Sequence, residues 1–374
     1  SPVGAFKAFG KKAGWLSFGG WINAIIPVLI VPYYSVIGGW VIKYLIEYVK
    51  GNGTKLAADG YFSEFISNGA STEICFVIFC MFTLSIIYAG VRNGIERVSK
   101  FMMPILVVLS VIIAIYSVTR PGAIEGVKYF LVPNLKNFSW MTVVAAMGQM
   151  FYSLSIAMGI LITFGSYMKK DSSIEDSTRN VEVFDTAIAI MAGLMIIPAV
   201  FAFSGGNPDT LQAGPALMFI TIPKVFENMG LGTAIGILFF LLVLFAALTS
   251  SIALTESAVS TFEDEIGWSR KKSTVLVGVI MIVLGSLSSL GYGPLAFVKI
   301  IGMQFLDFFD FLTNSVMMPI AALMTSLLVA RVVGVKKIEE EIIHGENAFR
   351  RKKIFAVMIK YLCPIFVLII LISS

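Results

Sequence analysis

Apolar residues fill most of this chain in long blocks, separated by shorter polar intervals. A membrane-spanning helix needs about 20 mainly apolar residues. Blocks of that kind lie at roughly 19–48, 73–90, 98–118, 141–167, 183–204, 231–261, 273–290, 303–333 and 354–373. The pattern predicts an all-α integral membrane protein of about nine transmembrane helices. Several blocks exceed the minimum length, so tilted or kinked helices are expected. Two intervals, 119–140 and 205–230, are long and carry apolar and aromatic residues (VKYFLVPNL; AGPALMFITIPKVFENMG). The second is expected to form a short helix packed back onto the membrane part, because it is too apolar to stay disordered. The first residues, SPVGAFKAFGKKAGW, lack the apolar core and cleavage site of a secretory signal.

Composition agrees with the pattern: 57% of residues are hydrophobic, 14% are charged and the mean hydropathy is +0.87, beyond what a soluble domain needs. A net charge of +5 is too small to suggest nucleic acid. Its meaning lies in where the positive residues fall. One set of alternate segments holds Lys7, Lys11 and Lys12; Arg92, Arg97 and Lys100; Lys169, Lys170 and Arg179; Arg270, Lys271 and Lys272; and the cluster from Arg331 to Lys353. The other set is sparse, with Lys50, Lys55, Arg120, Lys128, Lys136, Lys224 and Lys299. Cytoplasmic loops are enriched in Lys and Arg, so the N-terminus is expected in the cytoplasm and the C-terminus outside. Cys75, Cys80 and Cys363 sit in apolar runs with neither metal-ligand nor disulfide spacing and read as buried free thiols. His344, in the charged loop HGEN, reads as solvated. A hydrolase triad or histidine-based zinc site has nothing to build with. Nothing suggests a nucleophile–base pair or cofactor motif either, so no enzyme is expected. An ion channel would show rings of like charge or repeated filter loops.

Candidate chemistry comes from polar residues inside the apolar blocks. FYSLSIAMG, 151–159, puts Ser153, Ser155 and Gly159 near the centre of a span. Interrupted helices are tolerated in lipid where the irregular backbone lines a cavity or binds an ion. An ordinary Ser- and Gly-containing helix interface is the alternative. LFAALTSSIALTE, 244–256, places Ala246, Thr249 and Ser250 at helical offsets on one face, so that one carbonyl and two hydroxyls converge. Asp185, Glu256, Asp307 and Asp310 are intramembrane carboxylates, which are costly and read first as functional. Glu256 and Asp307 read equally well as structural groups.

Together these segments carry a family resemblance. SPVGAFKAF resembles the first cytoplasmic loop, PYYSVIGGW the third helix, and GQMFYSLSIAMG with SYMKKD the unwound sixth helix of the neurotransmitter:sodium symporter family. AGPALMFITIPKVF resembles its outer lid loop, and FAALTSSIALTE with FEDE its eighth helix. The chain is thus similar to a bacterial sodium-dependent amino-acid transporter with the inverted-repeat leucine-transporter fold, covering family helices 3–11. As one transmembrane domain it divides into a cytoplasmic loop (1–18), the remainder of the first repeat (19–118), the second repeat (141–333) and a last helix (354–373).

The resemblance implies roles. Ala246, Thr249 and Ser250 match ligands of the second sodium site, and Ser153 a ligand of the first. Asp185 stands where many members have a neutral Asn ligand, so its charge would make chloride unnecessary. Tyr34, Tyr152, Ser155, Met158, Ser251 and Leu254 match the substrate pocket, with Ile30 at its apolar end and Tyr152 as the aromatic lid. Asp310 matches the outer gate, Asp264 and Tyr167 the inner gate. Two departures stand out. Ala157 replaces a usual Gly, narrowing the pocket or stiffening the break, and Met158 replaces a common Phe and offers an adaptable wall. With Ile30 and Leu254, Met158 points to a hydrophobic or aromatic amino acid.

The first two family helices have no counterpart here. In the family the first supplies backbone ligands for both sodium ions and the substrate, and the Arg that pairs with Asp310. The chain also begins with Ser. It is therefore expected to be a fragment, inactive alone, with both sodium sites incomplete and Asp310 unpaired. The expected function is sodium-coupled symport of small amino acids by alternating access across the bacterial inner membrane. The rival is a non-transporting amino-acid sensor or partner-dependent membrane subunit.

Overall fold

The computed structural model describes residues 1–10, 14–136, 138–345 and 348–373. Lys11 and Lys12, counted among the positive residues above, lie outside the described residues, as do Glu346 and Asn347 of the HGEN stretch. Among the described residues the architecture is helical, apart from an isolated bridge between Ile300 and Met303.

Among the described residues, eight helices are long and apolar enough to cross a membrane. The remaining apolar block, 141–167, forms two half-helices instead. In chain order the elements are α1 (Ser17–Val49), α2 (Gly69–Tyr88), α3 (Arg97–Val118), the half-helices α4 (Trp140–Ser153) and α5 (Ile160–Ser166), α6 (Ile174–Ser204) and α7 (Gly232–Ile266). They continue with α8 (Arg270–Leu290), α9 (Phe305–Val333) and α10 (Lys352–Ile372).

α1 is the central post, packed against α2, α7, α8 and α9. It contains Pro27 and Pro32, each of which lacks an amide donor and clashes with the preceding turn. Neighbouring helices make such breaks tolerable in lipid. Its closest approach is at Gly38 and Gly39. A Cβ on Gly39 would lie 2.6 Å from the Phe76 nitrogen and 2.8 Å from the Cys75 carbonyl carbon. Small residues that let backbones touch are what drives helix association without water.

The lid segment behaves as its apolar sequence predicts. Its helical turns, Gly214–Ala216, Leu217–Thr221 and Ile222–Glu227, bury Phe219, Ile222, Val225 and Phe226. Phe219 stacks on Phe62 with centroids 5.2 Å apart and takes a hydrogen bond on its carbonyl from the Tyr44 hydroxyl at 2.8 Å. At the rim, Lys224 pairs with Asp59, holding that carboxyl below the usual range, and Thr54 donates to Glu227 at 2.8 Å.

Two expectations change. Residues 1–18, expected as a loop, contain a helix, Pro2–Phe9, whose Phe6 is buried. Proline at its first position and the Ser1 side-chain cap favour the start, and Phe6 packs beside Gly19 and Gly20 of α1. His344 lies in the last turn of an amphipathic helix, Val335–Gly345, not in a loop, and is exposed there. Cys75 and Cys80 are buried free thiols, and Cys363 is half-buried.

A Gly39→Val substitution forces α1 off α2 and is expected to cost about 1–3 kcal/mol or more. Gly165→Ala, which meets nothing within 4 Å, leaves stability unchanged. Thermal melting of the two purified variants distinguishes them.

Candidate functional site

The helix break is the origin of the site. Between α4 and α5 the chain places Ser155, Ala157 and Gly159 in left-handed backbone conformations, with φ of 53°, 62° and 72°. One such residue ends a helix, and three make reconnection impossible until Ile160. The ladder stops when the Ile156 amide donates to Phe151 at 3.0 Å and resumes when Thr163 donates to Gly159 at 3.0 Å. Among the described residues, the carbonyls of Ser155, Ile156 and Ala157 take no backbone donor. Gly159 is required twice over. Besides its positive φ, a Cβ would fall 2.8 Å from the Asn23 carbonyl oxygen of α1 and from the Ser257 hydroxyl of α7.

The break lines a cavity of about 440 Å³ between α1, α3, α4, α5 and α7, within the range of small-molecule pockets. Ile30, Tyr34, Tyr152, Ser155, Met158 and Leu254, all expected in a substrate pocket, face it. So do Ser153, Thr249 and Ser250, expected as sodium ligands. Asp185 reaches the same place from α6: the Ser153 hydroxyl donates to its Oδ1 at 2.5 Å. The Thr249 hydroxyl donates to the carbonyls of Ala246 at 3.0 Å and Phe245 at 3.1 Å, leaving its lone pairs available. The donor set is hydroxyls, carbonyls and one carboxylate, all hard oxygens suited to a small hard cation.

Ser251 corrects the sequence reading. It does not face the cavity but is fully buried toward α2, where its hydroxyl shares a hydrogen bond with Thr83 at 3.1 Å. Successive helical residues turn by about 100°, so the residue after Ser250 belongs to another face. Conversely, Met103, Gln149, Ile160 and Ala253 line the cavity without having been singled out. Ala253 lies four residues after Thr249 and three after Ser250, so helical spacing alone could have found it. Met103, on α3, had no such signal.

Asp310, expected to lack its arginine partner, is in no ion pair among the described residues; the Tyr33 hydroxyl donates to its Oδ1 at 3.1 Å and the Asn314 amide at 2.6 Å. Directly after it α9 widens into a π-helical turn, Phe311–Met317, a feature frequent at functional sites. Asp307 is held by the Tyr292 hydroxyl at 2.9 Å.

Tyr167 and Asp264, expected at an inner gate, form no hydrogen bond with each other among the described residues: Tyr167 donates to Glu256 at 2.6 Å, while Asp264 lies beside Gly4 of the Pro2–Phe9 helix. Glu256 is wholly buried and clasped by both terminal nitrogens of Arg270, one of them at 3.0 Å. Arg270 also donates from Nε to the Ile87 carbonyl at 2.9 Å. This arginine read in the sequence only as a positive charge at a helix start. Its partner lies across the turn between α7 and α8, which no spacing rule reveals.

The family profile described as sodium:neurotransmitter symporter matches residues 61–374. The chain belongs to the sodium:neurotransmitter symporter family. It is 34% identical to the sodium-dependent transporter YhdH of Bacillus subtilis over 93% of this chain and 77% of that protein. It is 32% identical to a sodium-dependent transporter of Haemophilus influenzae over 92% of this chain and 76% of that one. The crystal structure of MhsT in complex with L-phenylalanine superposes with a TM-score of 0.86 at 34% identity, covering all of this chain and 84% of that one. The fold is therefore the leucine-transporter fold, and the protein is a multi-pass membrane member of a sodium-coupled symporter family, not an enzyme.

Two outcomes follow from this geometry. Ala157→Gly relieves a left-handed alanine and is expected to stabilise the fold by up to about 1 kcal/mol, read as a higher melting temperature. Arg270→Ala leaves Glu256 buried without its partner and is expected to cost about 3–5 kcal/mol; in denaturant titrations Glu256→Gln combined with it recovers part of the loss.

Proposed function

We propose that this protein carries a hydrophobic or aromatic amino acid together with sodium, by alternating access. The observation that carries this reading is the cavity at the helix break. Ser153 joined to Asp185 stands on one wall and Thr249 with Ser250 on another, while Ile30, Met158 and Leu254 supply an apolar end. Hard oxygens on two walls suit two sodium positions: Ser153 and Asp185 at one, Ala246, Thr249 and Ser250 at the other. Tyr34, Tyr152 and Ser155 contact the amino acid. The complex of MhsT with L-phenylalanine supports the substrate class.

Tyr152 stands between the cavity and a smaller one beside Asn314, which suits a lid over bound substrate. Asp310 works at the outer gate, where its hydrogen bonds come from the neutral donors Tyr33 and Asn314. Tyr167, with the Glu256–Arg270 clasp, works at the inner gate near Asp264. Asp185 supplies a negative charge beside the ion, so chloride is not required. Each sodium ion crossing the full potential contributes about 2.3 kcal/mol per 100 mV. The charge asymmetry of the loops favours an N-terminus in the cytoplasm and a C-terminus outside, in a bacterial plasma membrane.

With the two family helices expected from the resemblance supplied, phenylalanine and leucine uptake is expected in proteoliposomes under an inward sodium gradient, unchanged when gluconate replaces chloride; the 374-residue chain alone is expected to take up neither. Asp185→Ala is expected to lower apparent sodium affinity about tenfold or more, equivalent to about 1.4 kcal/mol. An unaltered sodium dependence in that variant would sink the assignment, and sodium-dependent binding without flux would favour a sensor.

A further inference from the structure

The segment between α8 and α9 folds into a tight turn that is both strained and uncovered. Ile300 and Met303 exchange backbone hydrogen bonds at 2.9 and 3.0 Å, and the two residues between them, Ile301 and Gly302, are left-handed, with φ of 52° and 79°. Two-residue turns of this kind favour Asn or Asp followed by Gly. Gly302 conforms. A β-branched residue with positive φ does not, because its branches crowd the backbone. Packing within the chain does not offset this strain, since Ile301 is 79% exposed. Phe297, four residues earlier, is 81% exposed. Residues 291–306 hold no acidic residue and a single lysine, Lys299, which lies exposed between the two apolar side chains.

The helices on either side fix where this turn stands. α8 has 21 residues, about 31 Å at 1.5 Å per residue, which is the thickness of the hydrocarbon layer. With Arg270 at one surface, Leu290 stands at the other, and α9 re-enters from Phe305. No polar stalk lifts the segment away. A Cβ on Gly293 would fall 2.4 Å from the Ser67 carbonyl oxygen, and the Tyr292 hydroxyl is tied to Asp307 at 2.9 Å, so the start of the segment is held down on its neighbours. We propose that the turn at 297–301 inserts into the bilayer surface at this end of α8. The Phe297 ring and the Ile301 side chain enter among the first acyl methylenes, and the Lys299 ammonium turns back to the headgroup phosphates, as long basic side chains do. Removing Ile301 from water offsets the strain that its backbone carries, which an exposed turn in water would leave uncompensated. A protein covering the same tip would have to bring a carboxylate for Lys299, whereas any phospholipid presents its phosphate at that level. The inference rests on the chain lying in a bilayer, not on what it transports.

The test places an indole at the tip. Phe297→Trp in the full 374-residue chain is reconstituted in phosphatidylcholine bilayers, and the emission of the unsubstituted protein is subtracted. The added emission is expected at short wavelength, to be lost when the phosphatidylcholine is brominated on its acyl chains, and to persist with iodide in the water. Adding Ile301→Asn keeps a residue that accepts the left-handed turn but removes the apolar side chain. That pair is expected to show weaker bromolipid quenching and a gain in iodide quenching. Quenching by iodide and not by bromolipid puts the tip in water, and shielding from both puts it against protein; either result overturns the proposal. Should the tryptophan variant not fold, the unsubstituted protein decides, in bilayers whose phosphatidylcholine carries a photoactivated diazirine on the acyl chain. The peptide spanning 294–303 is expected to be labelled along with lipid-facing Val279 of α8. Labelling at Val279 without labelling at 294–303 overturns the proposal. Neither substrate nor a sodium gradient is used, so the result is independent of the transport reading.

Discussion

A polypeptide in lipid must satisfy its own backbone, because no water reaches the hydrocarbon to do it. The chain breaks that requirement in one stretch, between Ser153 and Ile160, and much of the surrounding structure answers the break. Three left-handed residues free the carbonyls there. Gly159 brings the bend against the Asn23 carbonyl of α1 and the Ser257 hydroxyl of α7, so the loose segment is held by the two most extensively packed helices. Ala157, in a conformation that an alanine resists, stays there because Met158 and Gly159 on its C-terminal side are buried. Ser153, Ser155 and Met158 of the break line the cavity beside these freed groups.

The intramembrane carboxylates follow the same logic at the level of side chains. Asp185 is held by Ser153, Asp307 by Tyr292, and Asp310 by Tyr33 and Asn314. These donors are neutral. They reduce the desolvation cost of each carboxylate without cancelling its charge, so the negative charge remains available to a cation. Glu256 differs, since it is fully buried and clasped by Arg270. Breaking a buried pair by removing one partner is strongly unfavourable. Neutral donors hold the carboxylates at the cavity and at Asp310, whereas a charged clasp holds Glu256.

Around this, rigidity comes from α1. Gly39 lets it touch α2, Tyr44 ties it to the 205–230 segment through Phe219, and Tyr33 ties it to α9 at Asp310. One helix therefore connects the cavity wall at Ile30 and Tyr34 with both of these elements. The lid gains nothing from local helix propensity, since its turns are short. It is placed by the apolar area of Phe219, Ile222 and Phe226 packed beneath it.

Periodicity and composition by themselves determined the class and the number of membrane blocks, because twenty apolar residues in a row have no other use. The Ser-x-Ser stretch with Gly159 marked the break, and the offsets of Ala246, Thr249 and Ser250 marked one face of α7, because both signals are local along the chain. Tertiary structure decided what local spacing leaves open. Ser251 turned to Thr83 because α2 lies on that side of α7. Asp310 found Tyr33, and Glu256 found Arg270, because helices distant in sequence pack side by side. The segment before α1 became a helix because Phe6 had Gly19 and Gly20 to pack against. A sequence fixes which faces a helix owns, but only packing decides which neighbour each face meets.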